Sequence, residues 1–320
     1  MLIYVEVNMI IDEILRKIIY PRPMLEYLIL TAPRRYKVYN IPKRNGKGCR
    51  TIAQPTRLVK TIQKECIEYL LKKCPIHFAA TAYVATKSIR DNAIKHKNNN
   101  FLLKMDFKNF FNNITEYDLK KYIKKHNNDC DIPWTDKDCE DLCNILFWRP
   151  KNKYERILSI GAPSSPALSN ILMYDFDENV SKFCSENNVV YTRYADDLTF
   201  SCNEAFKLKD IEKYVKDVVQ SIDFPTLIIN EDKTVHTSKK KNRHITGITI
   251  TNDGQLSLGY KRKIVLKSLI HKYINNELDK KKILYLCGML NFAISIEPEF
   301  VQRMQNKYGK EVIMDIRKYQ

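Results

Sequence analysis

The stretch Tyr191–Ser201, YTRYADDLTFS, constrains the fold of this chain more than any other. Tyr191, Thr192, Tyr194, Leu198, Thr199 and Phe200 are aromatic, β-branched or apolar and suit a pleated, half-buried strand, while Ala195-Asp196 falls where a tight turn would join two such strands. A hairpin fixes its tip in space, so Asp196 and Asp197 become a rigid acidic point. Side chains alternate along a strand, which sends the two carboxylates in different directions and predicts one full metal ligand with the other in support. Aspartate is also a common turn former, so the tetrapeptide alone is a weak signal and needs partners elsewhere.

One partner lies in Phe101–Phe107, FLLKMDF, an apolar strand with Leu103 and Met105 on one face and Asp106 on the other. A half-buried carboxylate is costly unless paired, hydrogen-bonded or metal-bound, so Asp106 asks for a cation, and two such strands side by side would bring it to Asp196. A second partner is Leu158–Phe176, where Gly161 and Pro163 shape a turn, Ser165 is placed as an N-cap and Pro166 as the first helical residue. Leu168, Ile171, Leu172 and Phe176 then line the buried side of one helix, leaving its N-terminus free for a nucleotide or nucleic-acid backbone; a capped core helix would show the same pattern.

The remaining chain supplies a frame. Ile10–Tyr20 carries a helical apolar stripe, and Tyr36–Ile41 with Cys49–Ala53 form two extended runs around the basic turn Pro42–Gly48. Lys47 and Arg50 are placed there to meet phosphates, although a solvated basic turn has the same composition. Thr56–Lys73 reads as a scaffold helix, Thr86–His96 as a helix with Asn92 and His96 one turn apart, and Asn112–Pro150 as helical with polar interruptions. Ile211, Val215, Val218 and Ile222 mark another helix, followed by a short strand Leu227–Ile229 ending at Asn230. His244–Thr251 with Asn252-Asp253-Gly254 predicts a hairpin, and Val265/Leu269/Tyr273 with Ile283/Cys287/Leu290/Ile294 predict two closing helices.

Charge indicates the partner. Lys and Arg outnumber Asp and Glu by 54 to 37, a net +17, which points to a polyanion, and nineteen tyrosines with thirteen phenylalanines favour nucleic acid over membrane because aromatics stack on bases. From Lys239 to Lys272 the basic residues crowd, with Asp253 the only acid among them. Met1–Tyr20 carries Glu6, Asp12 and Glu13 without a basic start, so it does not read as a signal peptide. Nine scattered cysteines suit reduced thiols in a bacterial cytoplasm.

Taken together, these motifs resemble retron-encoded bacterial reverse transcriptases, relatives of group II intron reverse transcriptases. The resemblance runs from Arg35 to Ile296 and rests on RTI-x-x-P at Arg50–Pro55, MDFKNFF at Met105–Phe111, GAPSSPALSN at Gly161–Asn170, YADD at Tyr194–Asp197 and INEDKT at Ile229–Thr234. Asn92-Ala93-Ile94-Lys95-His96 fits an NAxxH motif, and Ile245-Thr246-Gly247 is similar to a VTG motif. The family usually has Gln before the Gly-Ala-Pro turn, where this chain has Ile160, so a polar contact near the nascent base pair is missing.

The resemblance implies an α+β right-hand polymerase: an N-terminal helical segment at 1–34, fingers at 35–100, a palm at 101–245 with inserted helices at about 112–158, and at 246–320 a primer-grip hairpin with a basic helical thumb. It implies two Mg²⁺ ions held by Asp106, Asp196 and Asp197, dNTP selection by Phe111 under the deoxyribose, triphosphate contacts from Lys47 and Arg50, nucleotide contacts from Gly161, Ala162 and Pro163, and a leaving-group role for Lys233. RNA recognition falls to Asn92, His96, Ile245, Thr246, Gly247, Lys261, Arg262, Lys263 and Lys267. The implied function is reverse transcription of the enzyme's own structured non-coding RNA from a 2′-hydroxyl primer to give a branched RNA–DNA hybrid, msDNA, in anti-phage defence beside an effector protein from the same operon. The alternatives are a non-retron bacterial reverse transcriptase, or chiefly an RNA–DNA scaffold that restrains a toxin.

Overall fold

The computed structural model describes residues 9–43, 46, 48–127 and 134–319. Its centre is a four-stranded antiparallel sheet. Strands β1 (Tyr36–Pro42) and β2 (Cys49–Pro55) form a separate hairpin, paired from Tyr36–Pro55 out to Pro42–Cys49. The central sheet holds β3 (Phe101–Asp106), β4 (Val190–Tyr194), β5 (Asp197–Cys202) and β6 (Val235–Ser238) in the order β4-β5-β3-β6. A small meander of β7 (Arg243–Ile245), β8 (Ile248–Ile250) and β9 (Leu256–Ser257) follows.

The period-2 pattern of β3 divides the molecule. Leu103 and Met105 are buried in one apolar cluster with Leu198, Phe200, Leu168, Phe176 and Val215, so the helices Ser165–Leu172, Tyr174–Glu186 and Lys207–Ser221 belong to that face. Leu102, on the other face, joins a second cluster made by the meander and the C-terminal helices Tyr260–Ile274, Lys280–Ile296, Pro298–Tyr308 and Lys310–Lys318. Asp106 shares that second face by alternation, so the C-terminal body rises beside it.

The outer edge of β4 is not left open. Arg193 N donates to the Ala79 carbonyl at 2.9 Å, and Thr81 N returns a bond to the Arg193 carbonyl at 2.8 Å, which stitches the loop before Tyr83 to the sheet. At the N-terminus, helix Met9–Lys17 buries Ile10, Ile11 and Ile14 as its stripe predicts. A second helix, Arg22–Thr31, follows it; Pro23 in its first turn costs nothing because that N–H has no helical partner.

Several expectations change. The helix expected to run through Phe176 breaks at Met173, and Ser164, not Ser165, occupies the cap position without a side-chain cap bond. Leu227–Ile229 contributes only a single bridge between Ile229 and Phe107, and the added strand is β6, whose exposed Val235 and His236 hid its sheet role. His244–Thr251 is not one arm: Thr246-Gly247 turns it back on itself, and Asn252–Gly254 makes the next turn. The helix Tyr260–Ile274 buries Leu266 and Ile270, whereas Val265 is exposed, and two further helices close the chain.

Candidate active site

The hairpin tip forms where the residue types predict. Tyr194 pairs with Asp197 across it, and Ala195 takes a left-handed φ of 57°. Asp106 is the register partner of Asp197 across β3 and β5, and Phe107 N donates to the Asp196 carbonyl at 3.2 Å. Three carboxylates therefore gather at one end of the sheet. Asp106 is buried; its Oδ1 accepts from Asn230 Nδ2 at 3.0 Å and its Oδ2 from Lys233 Nζ at 2.8 Å. Asn230 N also bonds the Asp106 carbonyl at 2.8 Å, so the single turn Glu231–Lys233 is anchored onto the aspartate it serves.

The electrostatics follow from this crowding. Burial pushes the Asp196 carboxyl up, and the Asp106 charge adds to it. Burial, then Asp196 and Asp106, push Asp197 up to about 6, against the pull of Lys233 and Lys104. Burial works against the Lys233 ammonium, yet the Asp106 bond and the three negative charges leave its pKa raised. A cavity of about 340 Å³ opens here, lined by Lys104, Asp106, Asp197, Asp232, Lys233 and Thr246.

The tip is shaped from beneath by a buried ion pair. Arg193, with no exposed surface, meets Asp177 through Nε at 2.8 Å and Nη2 at 2.6 Å, and Tyr191 donates to the same carboxylate at 2.7 Å. The remaining nitrogen, Nη1, donates to Asn170 Oδ1 at 3.0 Å and to the Ala195 carbonyl at 3.2 Å, so the guanidinium grips the turn itself.

The other predicted residues are placed as follows. Arg50 is exposed on β2 opposite Ile41, and Lys47 lies outside the described residues. Phe111 is half-buried, its ring tilted on Phe110 at 5.3 Å. Gly161 has φ 118° and a Cβ there would meet Ile52 Cγ2 at 3.0 Å and the Ala53 carbonyl at 3.2 Å, because Ala53 N donates to the Ile160 carbonyl at 2.9 Å. Ala162 is buried and Pro163 half-buried in the same turn. Asn92 and His96 are fully buried, His96 lies beyond the end of a short helix Ile89–Ile94, and Ile245 is buried too. Direct RNA contact by these three side chains is thus replaced by interior packing. Thr246 and Gly247, with φ of 46° and 83°, form the tight turn beside the acidic cavity. Arg262 donates to the Gly247 carbonyl and lies 5.7 Å over Phe292, and Lys263 pairs with Glu297 at 2.7 Å, so both are engaged within the body; Lys261 and Lys267 are exposed.

A family model described as reverse transcriptase (RNA-dependent DNA polymerase) matches residues 41–250. The retron Ec83 reverse transcriptase of Escherichia coli is 46% identical over 300 residues, covering 93% of this chain and 95% of that protein. The chain belongs to the retron reverse transcriptases. The retron Ec73 reverse transcriptase of Escherichia coli is 30% identical over 294 residues, covering 89% of this chain and 90% of that one. The retron Ec86 enzyme of the same organism is 27% identical over 294 residues, with 89% and 86% covered.

As a retron reverse transcriptase the protein is an RNA-directed DNA polymerase with the α+β right-hand fold. Among the described residues no helix is long and apolar enough to cross a membrane. Three features of this reverse transcriptase escaped sequence reasoning. Asn230 carried a signal, being three residues before Lys233 in one short turn. Arg193, an arginine inside an aromatic strand, carried one as well, since a guanidinium buried there requires an acid such as Asp177. Tyr83 carried none: it holds a left-handed φ of 59°, is half exposed, and feels the charges of Tyr194, Asp196 and Arg50 while burial raises its phenol.

Proposed function

We propose that Asp106, Asp196 and Asp197 are the catalytic carboxylates of this retron polymerase and would hold two Mg²⁺ ions. Among the described residues no three His, Cys, Asp or Glu side chains are drawn together closely enough to hold a metal as they stand, and Asp106 is occupied by Asn230 and Lys233. The donor set nevertheless fits: these are oxygen ligands, hard cations prefer them, and the upward pressure on Asp196 and Asp197 is relieved by added positive charge. When bound, Mg²⁺ supplies Lewis acidity and charge neutralisation for phosphoryl transfer. The observation that supports the reading most is the pairing of Asp106 with Asp197 at a cavity that Lys104 and Lys233 also line, with Asp196 beside them at the tip of the hairpin.

The chain's own groups then have distinct tasks. Lys233, an ammonium already on Asp106, is placed to neutralise or protonate the departing pyrophosphate. Arg50, on β2, meets the triphosphate in this scheme, as does Lys47; Gly161–Pro163 border the nascent pair, and Phe111 lies under the deoxyribose where a 2′-hydroxyl would clash. Exposed Lys261 and Lys267, with the turn Thr246-Gly247, meet RNA phosphates and 2′-hydroxyls. The divisions at 34/35, 100/101 and 245/246 mark N-terminal segment, fingers, palm and thumb in this scheme.

The substrate is the enzyme's own non-coding RNA, primed from a 2′-hydroxyl to give branched msDNA in a bacterial cytoplasm, with an operon-encoded effector in anti-phage defence. Incubation with that RNA, dNTPs and Mg²⁺ should yield DNA joined to RNA through a 2′,5′ linkage that debranching enzyme releases. DNA synthesis undiminished in the Asp196→Asn/Asp197→Asn double variant, or a product lacking the branch, overturns this reading.

A further inference from the structure

The Asn92–His96 stretch lies between two bodies. Ala93 is buried in the cluster of Ile245, Ile248 and the C-terminal helices, and the Ile89 carbonyl lies 3.5 Å from Thr246 Oγ1. The other side of the stretch meets the catalytic hairpin. In the register of β4 and β5, Tyr194–Asp197, Thr192–Thr199 and Val190–Ser201 are successive facing pairs on one surface of the sheet. Thr192 and Ser201 therefore stand on the same face as Asp197, directly behind it, and both are bonded to His96.

The hydrogen bonds have a single consistent direction. Asn99 Nδ2 lies 3.2 Å from the Ser201 carbonyl, which can only accept, and 2.8 Å from Ser201 Oγ, so the serine oxygen accepts there and its own proton goes to His96 Nδ1 at 2.7 Å. The ring then carries its proton on Nε2 and donates to Thr192 Oγ1 at 2.7 Å, and the threonine hydroxyl donates to Asn92 Oδ1 at 2.5 Å. Every hydroxyl and both ring nitrogens are satisfied with a neutral imidazole, and burial keeps it neutral, with the pKa pushed down to about 3. The amide nitrogen of Asn92 is buried with no acceptor among the described residues, so an apolar side chain would serve burial better; the amide is there for its oxygen.

We propose that Asn92 and His96 are positioning residues: the relay Asn99–Ser201–His96–Thr192–Asn92 locks both legs of the catalytic hairpin to each other and to the C-terminal body, so that nucleic acid held by that body meets Asp197 in register. This rests on Asp197 being catalytic. The relay adds a brace on the carboxylate face, whereas the Arg193–Asp177 pair holds the tip through Ala195.

The test uses a labelled DNA primer annealed to an RNA template and a single dNTP, with the full chain. Thr192→Val keeps shape and removes the hydroxyl; Thr192→Ser restores it. The expected result is a fall in kcat of at least tenfold for Thr192→Val, with KM for dNTP and Kd for the primer–template within twofold of the parent, and recovery of most of the kcat in Thr192→Ser. Ser201→Ala, which only deletes an oxygen, is read in the same way if Thr192→Val fails to give a cooperative melt. A kcat within twofold in the folded variants, a loss residing in Kd, or no recovery with serine overturns the proposal. Asp197→Asn is run alongside: synthesis surviving in that variant overturns the reading of the carboxylates instead.

Discussion

Asp106 and Asp197 face each other across β3 and β5, and Asp106 shares its outer oxygen with the ammonium of Lys233 at 2.8 Å. That cation pulls the pKa values of Asp196 and Asp197 down against burial and mutual repulsion. Lys233→Met should therefore move the acid limb of the pH–rate profile upward and lower kcat by about 10²-fold, in the range of a lost proton-transfer group. Lys233→Arg should restore the limb more than the rate. An unmoved limb in a steady-state pH series would show that the lysine does not act on these carboxylates.

Asp197 is held above its ordinary range, so the folded state disfavours its ionised form and its contribution to stability is lost as pH rises toward 6. Asp197→Asn should abolish polymerisation yet stabilise the protein in EDTA at pH 7, by about 1 kcal/mol once solvent exposure of the group is discounted. Thermal melts of the two proteins decide it: equal or lower stability in the variant would mean that the carboxylates do not repel one another.

His96 gives the opposite slope. Its folded pKa is about 3, from burial first and the Lys95 charge second, against an ordinary value near 6.5. Between these values the unfolded chain takes up a proton that the folded one refuses, so stability rises with pH, with a limiting slope of about 1.4 kcal/mol per unit. Asp197 offsets part of this between about pH 4 and 6, so the comparison must be with His96→Asn. Denaturant titrations at pH 7 and 5 should show the parent losing more stability than the variant; parallel losses would contradict a neutral buried ring.

Arg193 and Asp177 are both without exposed surface. Asp177→Ala strands a buried guanidinium and should cost about 3–5 kcal/mol of unfolding free energy, whereas the pair Asp177→Ala/Arg193→Met should recover part of the loss. Chemical denaturation of the three proteins checks this, and additive losses would show that the two charges are independent.

Gly161 combines a φ of 118° with backbone contact on β2. Gly161→Ala should force the β1–β2 hairpin away from the turn and raise KM for dNTP by about tenfold, the equivalent of about 1.4 kcal/mol, more than it changes kcat. Single-nucleotide kinetics would expose a wrong assignment if KM stayed fixed.

The acidic hairpin is legible because aromatic and β-branched residues flank an Asp-Asp turn, and β3 because its alternation leaves one acid on an apolar strand. Less was legible where partners are distant in sequence. The roles of Arg193 and Asn92 depend on Asp177 and Thr192, and side-chain periodicity says nothing about which polar groups will meet. β6 is illegible because an edge strand with exposed residues carries no apolar alternation, whereas the last two helices do carry helical spacing, at Phe300, Val301 and Met304 and at Ile313 and Ile316. Gly247 marks a turn in the VTG-like motif, but that it reverses the chain inside His244–Thr251 shows only in the left-handed φ of both Thr246 and Gly247.

The apolar side chains from Ile245 onward form a cluster of their own, which among the described residues takes in three upstream aliphatic side chains, Ala93, Leu102 and the partly buried Ile89. Such a seam makes the C-terminal body a cassette. Such a unit should be exchangeable between retron enzymes as a whole, provided the newcomer offers an apolar socket for those three side chains.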